Sequence, residues 1–398
     1  MEAYTAMDKL SYGIFSLLET KFLFGPAGAG CISGPGTPAK AFIGSGGRVR
    51  VLSIDGCGAG AAQDALLAAA ALARLESGLR EQSGDPDARV AEFFDVAAGA
   101  GAGGVLAAML FLRGPDGRLR YSAEEAFAFD TVAPLLVPCY DLATGAQFMF
   151  SRADAVESDA FDFRLRDVCA ATCATGAIPA VVRSVDGVTA IAAASAGVAG
   201  MGNPTAAAIT HVLHNKQEFP LATSVDDILV LSIGTGTSSS AVSCGSNTPM
   251  PTRSPSPRDL ARVTAQGVAD MVDESVAMAF GHACQANYKR IQAGKASTGI
   301  HADTTTRAML AQRNVESVLF RGRKLSERTN AEKVDALVPE LVMEQERRRR
   351  SPLPNVAIKQ VDTTSPRLSS ATTASSFTTT PRSTVSTMPS PASCNSRR

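Results

Sequence analysis

The chain has 398 residues, of which 45% are hydrophobic and 19% charged, the composition of a soluble globular protein with a sizeable core. Its net charge is zero, but residues 347–398 hold nine Lys or Arg and one acid, so the remainder of the chain is acidic. An acidic body with a basic tail argues against a nucleic-acid-binding fold.

Other features of the sequence exclude further classes of protein. The N-terminus, MEAYTAMDKLSYG, has neither the basic start nor the apolar run of a signal peptide, and no uninterrupted apolar stretch is long enough for a spanning helix. Cys169 and Cys173 have helical spacing, but no second pair or nearby histidine completes a zinc site. We therefore expect a cytoplasmic protein with reduced thiols, without a metal and without a cofactor.

The first predicted element is a short helix at 9–24, where leucine and isoleucine recur at helical spacing. We expect it to dock on the main domain. A membrane-surface helix is the alternative, although its polar face lacks a strong basic stripe. A linker rich in Gly, Pro and Ser follows at 25–47, so residues 1–47 form the predicted N-terminal region.

The next segments alternate between strands and helices. Residues 48–54 predict a strand, which ends in DGCGAG and leads to a long helix at 61–82. The stretch FFDVAAGAGAGGVL, at 93–106, predicts a strand, a tight glycine turn and a helix that reaches Leu112. This order indicates an α/β fold in which a mostly parallel sheet has helices on its faces, a three-layer α/β/α domain.

The remaining elements complete a domain at 48–346. The patterns predict strands at 188–193 and 227–233, a polar Ser/Pro loop at 238–258, and helices at 259–295 and 331–346. From Arg347 onward the chain is rich in Ser, Thr, Pro and Arg and has few apolar residues. Such a segment cannot bury enough surface to offset its ordering entropy, so we predict that 347–398 is a disordered basic tail.

Two glycine-rich turns follow predicted strands and open predicted helices, which is also the place of a dinucleotide site. Gly56-x-Gly58-x-x-Ala61 fits the loose form of that fingerprint, because small residues let backbone N–H groups approach a phosphate. The acid that would bind the ribose is Asp95, which precedes the end of its strand instead of following it. Nucleotide binding is therefore the weaker interpretation.

Several pieces of the sequence occur in the order found in one family. They are VLSIDGCG at 51–58, AEFFDVAAGAGAGG at 91–104, FMFSRADA at 148–155, AFDFRLRDVCAATCAT at 160–175, AGVAGMGNPT at 196–205 and ILVLSIGTGT at 228–237. In these pieces the chain resembles the patatin-like lipid acyl hydrolases of plants. It looks most similar to the subgroup in which G-x-G-x-G replaces the G-x-S-x-G elbow.

The resemblance implies a site in which both members of a Ser/Asp dyad are replaced. The family's nucleophile position falls on Gly101, and its base position, in a D-G-[AG] motif, falls on Ser195. The backbone N–H groups of Cys57, Gly58 and Ala102 correspond to the oxyanion hole, although the arginine of the family's G-G-x-R element is absent. No metal is implied.

The expected function follows from this mixed pattern. The resemblance implies a hydrolase relative that acts on phospholipid or galactolipid acyl esters, while the loss of the dyad predicts weak, non-standard or lost activity. The alternative is a catalytically inactive lipid- or acyl-binding regulatory protein. A helix N-terminus can lower a thiol pKa, which makes Cys57 a candidate substitute nucleophile, but a small buried residue is the favoured interpretation. Ser195 has no evident base of its own, and Ser53, His211 and His214 fit structural roles better.

The expected partners are membrane lipids rather than nucleic acid. The basic run at Arg347–Arg350 predicts a peripheral membrane contact through the tail, since each basic residue near an anionic surface contributes about 1 kcal/mol. A nuclear-import patch and a solvated helix end are the other interpretations of this run. The last is the commonest outcome for a run of like charges.

Overall fold

The computed structural model describes residues 47–56, 65–112, 134–174, 180–195, 197, 200–236, 257–294, 302–318, 321–351 and 356–357. The predicted helix at 9–24, linker residues 25–46 and loop residues 238–256 lie outside these ranges. Residues 358–398 also lie outside them, so the disorder of the tail stays a prediction.

The described residues contain an eight-stranded sheet with the strand order β5-β6-β3-β2-β1-β7-β8, in which β4 pairs with β3. Its strands are β1 (Val49–Ile54), β2 (Val96–Gly99), β3 (Leu135–Asp141), β4 (Ala146–Ser151), β5 (Ala180–Arg183), β6 (Ala190–Ser195), β7 (Ile228–Ile233) and β8 (Tyr288–Ile291). A separate antiparallel pair consists of β9 (Arg313–Val318) and β10 (Gly322–Thr329).

Helices pack on both faces of the sheet. They are α1 (Leu66–Ser83), α2 (Gly101–Phe111), α3 (Arg152–Glu157), α4 (Leu165–Thr172), α5 (Thr205–His214), α6 (Pro257–Phe280), α7 (Cys284–Asn287), α8 (Ala302–Ala311) and α9 (Asn330–Arg350). Leu52 and Ile54 of β1 face a core that α1, α2, α4 and α9 complete. Val49 and Val51 face a second core, built with α5 and α6. The three-layer α/β/α prediction is confirmed.

The central strands explain where a site can form. All six residues of β1 are buried, and β1 pairs in parallel with β2 and β7. Ile54 lies beside Gly99 on one side and Ile233 on the other, so the three strands end at the same level. The loops that follow them therefore meet at one place, the carboxyl edge of the sheet.

The structure corrects two predicted elements. The helix predicted at 259–295 ends at Phe280, because Gly281 adopts a φ of +53°, and residues 288–291 form strand β8 instead. Within FFDV, the strand begins only at Val96, because residues 90–93 form a 3-10 turn with a capping box.

The end of the last helix also differs from the prediction. The last helix continues to Arg350, so the run at Arg347–Arg350, which we assigned to the tail, belongs to the folded helix α9.

Among the described residues, no helix is both long and apolar enough to cross a bilayer.

Candidate functional site

The glycine turn after β2 has the geometry of a nucleophile elbow. Strand β2 ends at Gly99, Ala100 is extended with φ −112° and ψ 143°, and α2 begins at Gly101. Gly101 has a φ of +52°, in the left-handed region that side chains other than glycine rarely adopt. A strained residue between a strand and a helix is the arrangement that projects the tip of an elbow above the sheet.

Most glycines around the elbow are required by packing. A Cβ on Gly99 would lie 2.5 Å from the carbonyl oxygen of Gly103, and one on Gly103 would lie 2.6 Å from that of Asp55. A Cβ on Gly56 would lie 2.0 Å from the carbonyl oxygen of Ala100. The backbones of the first loop and the elbow therefore touch, and no side chain fits between them.

Gly101 differs from these neighbours because it has room. A Cβ built on it would meet only the Cα of Gly56, at 3.7 Å, and the carbonyl oxygen of Thr172, at 3.9 Å. Both distances are ordinary van der Waals contacts. At the tip of the elbow, glycine is therefore favoured by its own left-handed backbone and not by its neighbours, which leave space for a side chain.

The structure also brings Ser195 towards the elbow. Strand β4 occupies one side of β3, so β2 and β6 must share the other side, where Leu136 pairs with Ala98 and Cys139 pairs with Ser195. Three residues of β3 separate the two pairs, which corresponds to about 10 Å along a strand. The carboxyl ends of β2 and β6 thus point at each other, so Gly101 and Ser195, the residues that the resemblance places at the dyad positions, follow or end two strands that converge.

The end of α4 connects these two positions. The Thr172 hydroxyl accepts a hydrogen bond from the Gly101 N–H at 2.9 Å and donates one to the carbonyl oxygen of Pro138 at 2.8 Å. Ala174 accepts a hydrogen bond from the backbone N–H of Ser195 at 2.7 Å. The sequence piece that contains Thr172 pointed to the family, but it gave no indication that this hydroxyl holds the elbow.

The Ser195 side chain has no partner in the structure. It is fully buried, and its hydroxyl makes no hydrogen bond. An unsatisfied buried hydroxyl costs free energy, so natural structures keep few of them without a reason. Ser195 is the last residue of β6, at the position where the sequence resemblance expects the base.

A buried ion pair supports the loop that begins at Asp55. Arg290 of β8 donates to both carboxylate oxygens of Asp55, at 3.0 and 2.6 Å, and to the hydroxyl of Ser232 at 2.7 Å. Burial acts to lower the pKa of Arg290, but Asp55 outweighs that effect and raises it above its usual value. Thr205 extends the network by hydrogen bonding the hydroxyls of Ser53 and Ser232, so the structural role of Ser53 is confirmed.

The remaining predicted oxyanion residues are only partly placed. Ala102 is the second residue of α2, and the first N–H groups of a helix have no acceptor within that helix. Its position is therefore compatible with a donor. Cys57 and Gly58 lie outside the described residues, so their roles stay predictions.

Cysteines near the site do not offer a thiolate. Cys139, opposite Ser195, is fully buried, and burial raises the pKa of its thiol to about 12. Cys169 and Cys173 of the α4 region are free thiols whose pKa burial also raises, for Cys169 to about 12. At neutral pH these groups are protonated and are poor nucleophiles.

The three remaining candidate residues, Asp95, His211 and His214, lie in surroundings that favour structural or surface roles. Asp95 is buried at the amino end of β2 and forms ion pairs with Arg50 and Arg348, so it lies at the opposite end of its strand from the glycine turn. It cannot be the ribose-binding acid of a dinucleotide site. His211 lies 3.4 Å from Glu218 and His214 is exposed. Among the described residues, no cluster of three or more His, Cys, Asp or Glu side chains is arranged to hold a metal.

Comparison with known proteins identifies the family of this site. The chain is 48% identical to Patatin-like protein 3 of Oryza sativa subsp. japonica, in an alignment that covers 86% of the chain and 92% of that relative. This chain belongs to the patatin-like protein family. It is also 40% identical to Patatin-like protein 7 of Arabidopsis thaliana, over 89% of the chain and 84% of the relative. No family model matches the chain.

One relative carries a label that bears on activity. The chain is 35% identical to Probable inactive patatin-like protein 9 of Arabidopsis thaliana, over 84% of the chain and 93% of the relative. The family resemblance seen in the sequence is therefore confirmed. This patatin-like protein is related both to proteins without such a label and to one that is named inactive.

Proposed function

We propose that this patatin-like protein is a lipid acyl hydrolase relative that acts on phospholipid or galactolipid acyl esters at the elbow, with weak or lost dyad chemistry. The observation that carries the proposal is the space at Gly101, which has the strained backbone of an elbow and ordinary contact distances for a side chain. Ser195, at the expected base position, has a buried hydroxyl without a hydrogen bond. Neither residue can act as the other's base, because glycine has no side chain and serine is not basic at neutral pH.

The same geometry favours a binding role as the second candidate. The packing glycines, the Thr172 hydrogen bonds and the Asp55–Arg290 pair maintain the shape of the site even though both dyad side chains are absent. A catalytically inactive lipid- or acyl-binding regulatory protein needs this shape and no turnover. The relative with the inactive label adds support to this candidate.

We place the protein in the cytoplasm, peripheral at a membrane, with membrane lipids as its partners. The basic tail remains one candidate for the contact. Within the described part of the chain, Arg347 forms an ion pair with Glu344, and Arg348 forms one with Asp95. These two side chains therefore already have partners within the fold.

Restoring the dyad tests the proposal directly. We expect the double variant Gly101→Ser with Ser195→Asp to release fatty acid from mixed phospholipid and galactolipid vesicles at least roughly 100-fold faster than the natural chain, since a dyad contributes far more than the oxyanion hole alone. The serine fits the existing space, and the aspartate restores a carboxylate at the expected base position. Mass spectrometry of the released fatty acids measures the rate.

The matched control is Gly101→Ala with Ser195→Asp. It imposes the same backbone strain at the left-handed position without adding a hydroxyl. Turnover in the serine variant but not in the alanine variant supports the proposal. Equal turnover in all three proteins, or hydrolysis by the natural chain that Cys57→Ala abolishes, contradicts it.

A further inference from the structure

The solvent-facing side of α6 carries a continuous row of apolar residues. Leu260, Val263, Met271 and Met278 are 51%, 59%, 59% and 65% exposed. Successive residues of an α-helix are about 100° apart around its axis, so these four side chains fall within about 80° of one another. Gly267 lies in the same row, and a Cβ built on it would meet nothing within 4 Å. We call these five residues the outer row of α6.

The outer row lies opposite the buried side of the same helix. Ala265, Val276 and Phe280 are buried, and the last two belong to the second core of the domain. A surface helix normally has one apolar stripe and a polar face, whereas α6 is apolar on two opposite sides. A second apolar row of this length indicates a surface that another segment covers.

The helix predicted at 9–24 has a row of matching spacing. Its members, four, three, four and three residues apart, are Leu10, Ile14, Leu17, Lys21 and Phe24. In a parallel alignment with α6 they fall opposite residues of its solvent-facing side, in the order Val263, Gly267, Met271, Glu274 and Met278. Each pair is offset by 253 or 254 residues, so the alignment needs no gap. Rows that recur every three and four residues are what two helices need to pack side by side.

The one pair of charged residues in this alignment has opposite signs. Glu274 is half-buried on the side of α6 that carries the outer row. Burial and the nearby carboxylates of Asp270 and Asp273 raise the pKa of Glu274 above its usual value. An ammonium group beside Glu274 would offset this repulsion. Lys21, the charged member of the predicted row, is the residue that the alignment places there.

The chain enters the domain at the end of α6 that a parallel alignment requires. The guanidinium of Arg48, just before β1, donates to the side chain of Asn287 on α7 at 2.6 Å. The ring of Phe280, at the end of α6, stacks on that of Tyr288, with 5.9 Å between the ring centroids. The predicted linker at 25–47 therefore has only to join the carboxyl end of the docked helix to this place. A linker of this length averages about 26 Å end to end and reaches at most about 75 Å.

We propose that residues 9–24 dock as a helix on the outer row of α6, parallel to it and with Lys21 beside Glu274. A helix over these residues is about 24 Å long and the outer row extends over about 27 Å, so one covers the other. The tail beyond residue 357 is the weaker occupant, because it has few apolar residues. The inference is independent of the proposed function, since it concerns the outer side of α6 and not the elbow.

Oxidation of methionine by hydrogen peroxide in the full chain, without lipid, tests the inference. The docked helix would cover Met271 and Met278, whereas Met343 of α9 is 52% exposed and is the matched control. We expect the first two to oxidise at least roughly fivefold more slowly than Met343, measured by mass spectrometry of proteolytic peptides. Ile14→Asp with Leu17→Asp should raise their rates to that of Met343, since a carboxylate does not pack on an apolar row. Equal rates for the three methionines in the natural chain overturn the inference.

Charge reversal tests the alignment itself. Lys21→Glu and Glu274→Lys should each raise the oxidation rate of Met271 at least roughly twofold, because each places like charges opposite one another. The two changes together should restore the slow rate. Increases that simply add in the double variant contradict the pairing. An unchanged rate at Met343 in every variant shows that the domain still folds.

Other occupants of the outer row give different results, and each result overturns the inference. Protection of Met271 and Met278 that is lost in Leu368→Asp with Phe377→Asp, but kept in the variants of 9–24, assigns the outer row to the tail. Protection that disappears on dilution, as light scattering shows a dimer becoming a monomer, assigns it to a second copy of the chain.

Discussion

The two edges of the central sheet are held together by different kinds of contact. At the carboxyl edge, backbones approach one another through Gly56, Gly99 and Gly103, and the space beside Gly101 is open. At the amino edge, Arg50 and Arg348 converge on the buried carboxylate of Asp95. At the carboxyl edge, the absence of side chains lets backbone segments approach one another closely. At the amino edge, long charged side chains attach the last helix, α9, to the sheet.

This difference distinguishes contacts that stabilise the fold, at the amino edge, from contacts that shape the candidate site, at the carboxyl edge. A buried ion pair can be replaced without changing the shape of a distant cleft, whereas a glycine that touches a backbone cannot. Under the proposed function, Gly101 and Ser195 stand at the dyad positions without a nucleophile or a base, while the close backbone contacts around the elbow are present. The carboxyl edge would then have the form of a site without its reactive groups.

The largest expected effect lies at the amino edge. Asp95→Asn should destabilise the fold by about 3–5 kcal/mol, because it leaves the buried Arg50 guanidinium without a carboxylate. Urea unfolding followed by circular dichroism measures the loss. Asp335→Asn is the control, since it removes the exposed pair with Arg74 and should cost under about 1 kcal/mol. Similar losses in the two variants would contradict the structural importance of the amino edge.

The next comparison concerns two glycines of one turn. Gly103→Ala should cost about 2–3 kcal/mol, because its Cβ would collide with the carbonyl oxygen of Asp55. Gly101→Ala should cost only about 1–2 kcal/mol, for the left-handed conformation alone. Thermal unfolding of both variants gives the order. A larger loss at Gly101 would mean that the space at the elbow is not open.

Local signals in the sequence were enough to predict the elbow and the layers of the fold. Small residues between an apolar strand and a helix leave few alternatives, and β1 and β7 are short apolar runs bounded by turn residues. The family resemblance then indicated the dyad positions. These features depend on neighbours along the chain, which is why a single sequence contains them.

Other features depend on partners far away in the sequence. Asp55 and Arg290 are 235 residues apart, and β8 was predicted as part of a long helix, so the ion pair could not be anticipated. The hydroxyl of Thr172 likewise gains its role from Gly101, 71 residues earlier. Periodicity reports how a segment is buried, but it does not report which polar group it will meet.

The smallest expected effect concerns the turn between β3 and β4. Asp141 ends β3 and accepts hydrogen bonds from the Thr144 hydroxyl at 2.7 Å and from the N–H groups of Ala143 and Ala192 at 3.1 and 3.2 Å. Burial acts to raise the pKa of Asp141, but these donors outweigh it and lower the pKa below its usual value. The carboxylate therefore fixes the β3–β4 turn against β6.

Because the pKa of Asp141 is lower in the folded state than in the unfolded state, its stabilising effect is complete above the unfolded pKa, about 3.9, and is lost as the pH falls through the folded value. Asp141→Asn should cost about 1 kcal/mol at pH 7, and the difference from the natural chain should shrink below about pH 4. Glu81→Gln, on the exposed surface of α1, should show no such change. A difference for Asp141→Asn that stays constant down to pH 3 would mean that the carboxylate charge does not hold the turn, and the turn would then depend on its backbone hydrogen bonds alone.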